Sequence, residues 1–427
     1  MSKNNLSKDS LATLLICTRL GMSKSKNNLP KPYTLTQWNK LVNKLVNSNL
    51  ERPSAFFETK PDYWRKELNL TEDQIDRLEQ LLSRGGQLGI ELERLDSLGI
   101  WVTTRAEKTY PTRFKNVLKH KSPIVLYCAG DIKILKNEGV AIVGSRNVSD
   151  EGRYFAKKLA KRCAKEGLTV ISGGARGVDS ISQDSSLTAG GTVVSIFPQG
   201  LESQIRSSKY REAILDRKLI ALSTYHPKSS WAVYRAMERN KYVYALSKFT
   251  VVVESSLNKG GTWSGATENL DSNWVPLFVR SEDNISPGNQ ELINRGGLEI
   301  TEKVLYNKNI ELVNWFKSKS KDFIKTKSST SKISADKTKN EVQIKLNLNN
   351  STKDMVEMKK NSIDLFEVVW PYFKKVLKTP KTKDELSNIF NLETSQVTAW
   401  IQRGLEDDII KKDKDSNKYV VISNSNN

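Results

Sequence analysis

The chain has 427 residues, with 68 Lys and Arg against 48 Asp and Glu, and a formal net charge of +20 at pH 7. This length accommodates two or three domains. The cationic surplus indicates a polyanionic partner, usually nucleic acid, because basic side chains that neutralise phosphates release condensed counterions. Abundant lysine that merely keeps the protein soluble is the alternative. Three well-separated cysteines and only two histidines argue against a disulfide scaffold, a Cys or His metal site and a Ser–His–Asp triad.

Residues 1–98 are predicted to form a helical, SAM-like domain. Apolar residues recur at helical spacing in Trp38–Leu45 and Ile75–Leu82, and Thr71 and Gln74 form a capping box in front of the second helix. Leu11–Cys17 is interpreted as a buried helix rather than a signal segment, because Thr18-Arg19 interrupts it and no small-residue cleavage site follows. No apolar run approaches the roughly 20 residues of a membrane span. We therefore expect a cytoplasmic protein that makes no membrane contact.

Residues 99–316 are predicted to form a Rossmann-like α/β domain, in which short apolar runs alternate with amphipathic helices. This alternation is typical of a parallel sheet covered by helices on both faces. The predicted strands are Ile100–Val102, Ile124–Tyr127, Val140–Val143, Thr169–Ser172, Thr192–Phe197, Leu219–Ser223, Thr250–Glu254 and Pro276–Val279, and two of the helices are Gly152–Glu166 and Gly177–Ala189.

Residues 317–361 are rich in Lys, Ser, Thr and Asn, which predicts a basic, flexible linker. Residues 362–427 are predicted to form a winged-helix-like domain of three helices followed by a β-hairpin. The predicted elements are Ile363–Leu377, Thr382–Phe390, Glu393–Asp407, and a strand-like tail at 409–410 and 419–421. The last helix offers Gln396, Gln402 and Arg403 for base contacts but also carries Glu406, Asp407 and Asp408, so contact with a protein and duplex recognition both remain open.

Two glycine-rich turns follow neighbouring predicted strands. Gly144-Ser145-Arg146 comes directly after Val140–Val143, and Ser172-Gly173-Gly174-Ala175-Arg176-Gly177 follows the next strand and opens a helix. Such turns place helix N-termini, with their free N–H groups and positive dipole end, at one carboxyl edge of the sheet. The sequence therefore predicts a phosphate-binding edge, although neither turn is a dinucleotide G-x-G-x-x-G fingerprint or a Walker A loop.

A dense basic segment containing Arg235, Arg239, Asn240 and Lys241 is a further candidate for contact with a nucleic acid backbone. The alternative is a solvated helix face whose tyrosines turn to the core.

These motifs resemble those of the DNA-processing protein A (DprA, or Smf) family, single-stranded DNA binders that load the RecA recombinase in bacterial transformation. The resemblance covers roughly residues 100–300 and rests on motifs in matching order and spacing. They are Tyr110-Pro111, the VGSR of 143–146, the SGGARGVD of 172–179, the GGT of 190–192, Arg239-Asn240-Lys241, Leu246-Ser247 and the PGN-x-x-LI-x-x-G of 287–296. Ser182-Gln183, Ala236-Met237 and Gly265 depart from the family pattern of Ala-His, Phe-Pro and Thr, which marks a divergent member.

The resemblance implies a Rossmann-like fold without a cofactor, metal or catalytic residue, a homodimer, and single-stranded DNA and a RecA-type recombinase as partners. DNA transformation, phage defence and a mobile element remain open as its pathway. The implied DNA- or phosphate-binding residues are Gly144, Ser145, Arg146, Ser172, Gly173, Gly174, Arg176, Arg235, Arg239, Asn240 and Lys241. Asp179, Gly260 and Gly261 are expected to shape loops; Asp179 braces the turn rather than touching phosphate, because like charges repel.

The enzyme alternative comes from the wider superfamily. Residues 260–268 resemble the glycine–glycine … glutamate motif of nucleotide N-glycoside phosphoribohydrolases, with Glu268 as a general acid/base and Arg239 as a substrate clamp. A missing proline before the glycine pair and an altered Gly-Thr order count against this interpretation. A nucleotide-sensing module that signals to a partner is a further alternative, and neither of the two explains a net charge of +20. The simpler interpretation of Glu268 is an exposed helix residue.

Overall fold

The structure of the chain is a computed structural model that describes residues 6–22, 30–282, 284–321, 370, 373–390, 394–407, 409–413 and 417–422. The chain divides into two compact units, residues 1–332 and 333–427. The predicted N-terminal helices and the predicted α/β region both belong to the first unit. Most of the predicted linker lies outside the described residues, and its first residues, 317–319, complete a helix of the first unit.

The N-terminal region is helical, as predicted. Its helices are α1 (Lys8–Cys17), α2 (Leu35–Val46), α3 (Pro61–Leu68), α4 (Glu72–Leu82) and α5 (Gly85–Ser97), with a 3-10 turn at Pro53–Phe57. The predicted capping box forms at α4, where the Thr71 side chain accepts from the Gln74 N–H and the Gln74 side chain accepts from the Thr71 N–H. Helix α1 is buried, as expected, because Leu14 and Leu15 lie in the same apolar core as the sheet. The SAM-like assignment of this region stays a prediction.

A nine-stranded sheet forms the centre of the first unit. Its strands are β1 (Trp101–Thr104), β2 (Val125–Gly130), β3 (Gly139–Val143), β4 (Thr169–Ser172), β5 (Val193–Phe197), β6 (Leu219–Ser223), β7 (Phe249–Val252), β8 (Leu277–Arg280) and β9 (Leu298–Ile300). They lie in the order β1-β2-β6-β5-β4-β3-β7-β8-β9. Strands β3 to β9 are parallel, which confirms the predicted Rossmann-like core. Strands β1 and β2 extend it in antiparallel orientation.

Helices cover both faces of this sheet. They are α6 (Thr112–Leu118), α7 (Asp150–Lys165), α8 (Val178–Thr188), α9 (Leu201–Gln204), α10 (Ser208–Leu215), α11 (Val233–Leu246), α12 (Gly260–Ser272), α13 (Pro287–Asn294), α14 (Glu302–Tyr306) and α15 (Leu312–Lys319), with 3-10 turns at Lys119–Lys121 and Ile132–Lys136. Val140 and Ile142 of β3 share one core with Phe155 of α7, whereas Ala141 and Val143 face the other core. Burial on both sides explains why this strand is a continuous apolar run.

The chain reverses direction across the sheet at β3. Successive strands β4, β5 and β6 are added on one side of β3, and the chain then crosses to place β7 on its other side. Open α/β sheets bind ligands outside the carboxyl ends of their strands at such a switch point. The loops that follow β3, β4 and β7 therefore meet at the place where the candidate site lies.

The second unit contains two helices and a hairpin where the sequence predicts them: α16 (Lys383–Phe390), α17 (Thr394–Glu406) and the antiparallel pair β10 (Ile410–Lys412) and β11 (Tyr419–Val421). The described part of the predicted first helix includes a helical segment at 373–376, where Phe373 packs on Phe390 with ring centroids 4.5 Å apart. Gln402 donates to Glu406, and Arg403 pairs with Asp407; Asp408 lies outside the described residues. The winged-helix assignment stays a prediction.

Candidate nucleic-acid interface

The first glycine turn, Gly144–Arg146, is fixed by its own polar groups. The Ser145 N–H donates to the carbonyl oxygen of Glu254 over 2.8 Å. The Ser145 hydroxyl accepts from the Asn147 N–H at 3.2 Å and donates to the Asn147 carbonyl at 3.0 Å. A Cβ at Gly144 would lie 2.6 Å from the Val178 side chain, so this position requires glycine. The turn is held rigidly while the Arg146 side chain remains exposed.

The second turn, residues 173–177, packs directly against the first. Gly174 and Gly177 have φ angles of +67° and +90°, a backbone conformation that favours glycine. The Asp179 carboxylate accepts from the N–H groups of Gly173 at 3.1 Å and Ala175 at 3.4 Å. A Cβ at Gly177 would collide with the Ser145 carbonyl oxygen. The two hydrogen bonds to Asp179 are what a bracing role for this residue requires. The absence of a side chain at Gly177 allows the two turns to pack in contact.

An open cleft of about 640 Å³ lies between these turns and the neighbouring helix ends. It is lined by Arg146, Asn147, Val148, Ser149, Arg153, Arg176, Gly177, Ser180, Ile181 and Glu254. Ser149 caps α7 by accepting from the Gly152 N–H at 3.1 Å, whereas α8 begins without a side-chain cap. Within the described part of the chain, the N–H groups of Arg146, Gly174, Arg176 and Gly177 donate no hydrogen bond. The cleft therefore combines free backbone donors with three exposed guanidinium groups, an arrangement suited to a phosphate.

The lining residues Arg153 and Glu254 are charged and were not predicted as site residues from the sequence. Arg153 lies one turn into α7, outside any glycine-rich motif, and Glu254 reaches the cleft only because β7 pairs with β3. The Glu254 carboxylate accepts from the N–H of Ser149 at 3.1 Å and from its hydroxyl at 2.6 Å, and lies 3.8 Å from the Arg280 guanidinium. Its negative charge is thus held at the cleft wall by groups of the protein.

Arg239 lies beneath the second turn rather than in the cleft lining. It is 6% exposed, and its guanidinium Nη1 is 3.8 Å from Asp179 Oδ2. A Cβ at Gly173 would overlap that same nitrogen. Burial raises the pKa of Asp179 and lowers that of Arg239, and each charge partly offsets the effect on the other. The structure therefore places Arg239 as a support of the turn, although the sequence predicts direct contact with DNA.

Asn240 and Lys241 of α11 also have partners within the protein. The Asn240 amide donates to the Gly261 carbonyl at 3.0 Å, which links α11 to the start of α12, where Gly260 has a φ angle of +86°. The Lys241 ammonium lies 3.1 Å from the Glu238 carboxylate. Tyr242 is buried, as in the alternative interpretation of a helix whose tyrosines turn to the core.

Aromatic residues lie beside Arg146 at the start of α11. The exposed ring of Trp231, 48% accessible, has its centroid 5.9 Å from the Arg146 guanidinium carbon. Arg235 packs over Tyr225 and Tyr234 at 5.1 and 5.5 Å. Sequence reasoning missed Trp231; its position between a predicted strand and the basic segment was the available signal. An exposed ring next to a guanidinium of the cleft suits base stacking.

Residues 101–307 match the family model of DNA recombination-mediator protein A. The chain contains a DprA-family domain. It is 25% identical over 186 residues to the DNA processing protein DprA of Streptococcus pneumoniae, covering 43% of this chain and 65% of that protein. It is 27% identical over 164 residues to DprA of Bacillus subtilis, covering 38% of this chain and 54% of that protein. Both alignments thus span less than two thirds of these relatives.

The fold of the DprA-family domain agrees with a solved structure. The X-ray structure of DprA from Streptococcus pneumoniae superposes with a TM-score of 0.51 at 18% identity, over 69% of this chain and 95% of that chain. At this identity the likeness establishes the fold. The family match covers β1 to β9 and ends after α14.

Two of the three departures from the family motifs have local explanations in the DprA-family domain. Ser182 and Gln183 are fully buried, and the Gln183 amide donates to the Ser195 hydroxyl at 3.0 Å. A Cβ at Gly265 would lie 3.0 Å from the Tyr244 ring and 3.3 Å from Asn240, so glycine permits close packing of α12 on α11. Nothing in the structure explains Ala236.

Glu268 lies on the exposed side of α12 and does not line the cleft. This is the simpler interpretation of that residue, and it leaves the proposed acid/base group outside the lining that Arg146, Arg153 and Arg176 share. Within the described residues, no group of three or more His, Cys, Asp and Glu side chains is arranged to hold a metal ion. None of the described helices has both the length and the apolar character needed to cross a bilayer.

Proposed function

We propose that this protein binds single-stranded DNA through the cleft, without catalysing a reaction. The observation that carries the proposal is the convergence of Arg146, Arg153 and Arg176 on the uncapped N-terminus of α8. Guanidinium groups bind phosphate oxygens in a planar, bidentate manner, and free N–H groups at a helix N-terminus add further donors. A DNA backbone is the polyanion that fits an open cleft in a chain of net charge +20.

The preference for a single strand comes from the aromatic surface beside the phosphate site. Trp231 is exposed next to Arg146, and stacking on it requires a base that is free of a duplex. A duplex keeps its bases stacked and offers the cleft only phosphates. Single-stranded DNA can therefore stack on this ring, whereas duplex DNA cannot.

The absence of catalysis is part of the proposal. The one carboxylate among the cleft-lining residues, Glu254, accepts two hydrogen bonds from Ser149 and faces Arg280. A general acid or base must reach the reacting atom, and Glu268 is not among the cleft-lining residues. The nucleotide N-glycosidase alternative thus lacks a residue in position.

The family relationship supports the remaining parts of the proposal. We infer a cytoplasmic homodimer that hands single-stranded DNA to a RecA-type recombinase. In this proposal Arg146 and Arg176 contact phosphates, and Arg235 supports the aromatic residues beside them. The backbone around the phosphates is shaped by the residues of the two turns, Gly144, Ser145, Ser172, Gly173 and Gly174.

Fluorescence anisotropy with labelled oligo-dT and a duplex of equal length, at low and moderate salt, tests the proposal. We expect tighter, salt-sensitive binding to oligo-dT. Arg146→Ala combined with Arg176→Ala should weaken binding by at least an order of magnitude, whereas Arg52→Ala, an exposed arginine of the helical region, should not. Equal affinity for duplex and single strand, or an unaffected double variant, would contradict the proposal.

A further inference from the structure

The outer face of α7 carries a row of cations that begins at the cleft. Arg153 lines the cleft, and Lys157 and Lys161 follow at four-residue intervals, with Lys165 in the last turn; all four are exposed. Together they form the α7 basic stripe. Residues four apart lie on the same helix face and rise by about 6 Å per step. The stripe therefore extends about 18 Å along the helix from the candidate phosphate site.

The lysines of this stripe are not neutralised by the protein. No carboxylate lies within ion-pair distance of Lys157, Lys161 or Lys165 in the described part of the chain. Arg153 lies 3.7 Å from Asp150, whose side chain is almost fully exposed. In contrast, Arg162, which points away from the stripe, pairs with Glu166. The uncompensated charge is thus confined to the solvent face.

An exposed aromatic pair flanks the stripe. The hydroxyls of Tyr154 in α7 and Tyr306 in α14 are hydrogen-bonded to each other, and the rings are 45% and 50% exposed. The Lys158 ammonium lies 3.9 Å from the centroid of the Tyr306 ring and 5.9 Å from that of Tyr154. Rings held in place yet open to solvent provide a stacking surface for bases.

We propose that the α7 basic stripe carries single-stranded DNA onward from the cleft, with a base stacked on the Tyr154–Tyr306 pair. This inference rests on the proposed function and adds the path of the strand. Three features favour DNA over a merely solvated lysine face: continuity with the cleft through Arg153, the lack of ion pairs at the three lysines among the described residues, and the adjacent aromatic pair. The step of about 6 Å between cations is comparable with the separation of phosphates in an extended strand.

The test compares two oligo-dT lengths, one that fills only the cleft and one that also reaches along α7. The variant K157Q/K161Q/K165Q removes three charges while keeping good helix formers. Its matched control, K40Q/K60Q/K66Q, removes three exposed lysines of the helical region for which no ion pair is found among the described residues. For each protein, salt titrations give the slope of log affinity against log salt concentration, here called the salt slope. Thermal unfolding verifies that each variant is folded.

The stripe variant should bind the long oligonucleotide about tenfold more weakly and the short one as before. Its slope for the long oligonucleotide should be smaller by roughly 0.7 for each phosphate that is no longer neutralised. Y154A/Y306A should weaken only long-oligonucleotide binding and leave its slope unchanged. A stripe variant indistinguishable from the control, or one that binds both lengths equally weakly, overturns the inference while the cleft proposal stands. A wild-type protein that binds neither length overturns both.

Discussion

The guanidinium of Arg239 occupies the space that a side chain at Gly173 would need. This contact connects α11 to the turn after β4 and thereby to the cleft. Because Arg239 also faces Asp179 at 3.8 Å, the buried pair supports the turn from below, while the N–H groups of Gly174, Arg176 and Gly177 have no acceptor among the described residues.

Gly173→Ala should therefore displace Arg239 and disturb the turn. We expect the free energy of unfolding to fall by about 1–3 kcal/mol and oligo-dT affinity to fall with it. Urea unfolding measures the first effect and anisotropy the second. The double variant Gly173→Ala/Arg239→Ala should lose less stability than the sum of the two single variants, since the collision is then absent. Strict additivity would show that the two residues do not interact.

Arg146→Ala and Lys241→Ala should differ, although the sequence suggests a DNA contact for both. Arg146 lines the cleft, whereas Lys241 pairs with Glu238. Arg146→Ala should reduce the salt slope by roughly 0.7, the value for one phosphate contact on a single strand, and Lys241→Ala should leave it unchanged. Salt titration of oligo-dT binding by each variant measures this difference. An equal reduction of the salt slope in both variants would mean that Lys241 also contacts the DNA.

Trp231→Ala should weaken oligo-dT binding by about 1–3 kcal/mol, the range for loss of one base stack. The salt slope should stay the same, because no charge is removed. Trp231→Phe keeps a ring and should retain most of the affinity while losing part of the tryptophan fluorescence change on binding. If Trp231→Ala binds as tightly as the wild type, the bases lie elsewhere.

Glu254→Gln should have opposite effects on binding and stability. Removing a negative charge from the cleft wall should tighten oligo-dT binding severalfold. The amide cannot accept from Ser149 and face Arg280 as the carboxylate does, so the free energy of unfolding should fall by about 1–3 kcal/mol. Anisotropy and urea unfolding measure the two quantities. Weaker oligo-dT binding by a folded Glu254→Gln variant would contradict this prediction. It would mean that the hydrogen bonds between Glu254 and Ser149 contribute more to binding than the negative charge of Glu254 opposes it.

His226 predicts a pH dependence of stability. Its burial lowers its pKa from the ordinary value of 6.5, and its Nδ1 accepts from the Lys228 N–H at 3.2 Å. The unfolded chain therefore binds a proton more readily, and stability should fall as the pH drops below about 6.5 and level off once folded His226 is protonated. In His226→Gln this part of the pH profile should disappear, as measured by urea unfolding at several pH values.

The sequence predicts the sheet and the glycine turns because both depend on local patterns. Apolar runs mark β3 and β4, and the glycines after them can be read directly. The helix pattern of α11 also contains a signal for the burial of Arg239, which shares the buried face with Tyr242, Val243 and Leu246, at spacings of three, four and seven residues.

Other parts of the site could not be predicted from local patterns. Glu254 reaches Ser149 only through the pairing of β7 with β3, and Trp231 reaches Arg146 through a loop without regular structure. The antiparallel edge of β1 and β2 likewise depends on strand order. Proximity of this kind arises from tertiary packing, which a single sequence does not display.

The crossing from β6 to β7 also has a consequence for how the chain folds during synthesis. Val140 pairs with Phe249, roughly 110 residues later, and closing so long a loop is entropically slow. Until β7 has left the ribosome, the backbone N–H and C=O groups along one edge of the apolar strand β3 have no strand partner. Unpaired strand edges of this kind promote aggregation. The wall that completes the cleft is thus supplied late, and a chain interrupted before β7 would expose an aggregation-prone strand edge in place of the proposed DNA site.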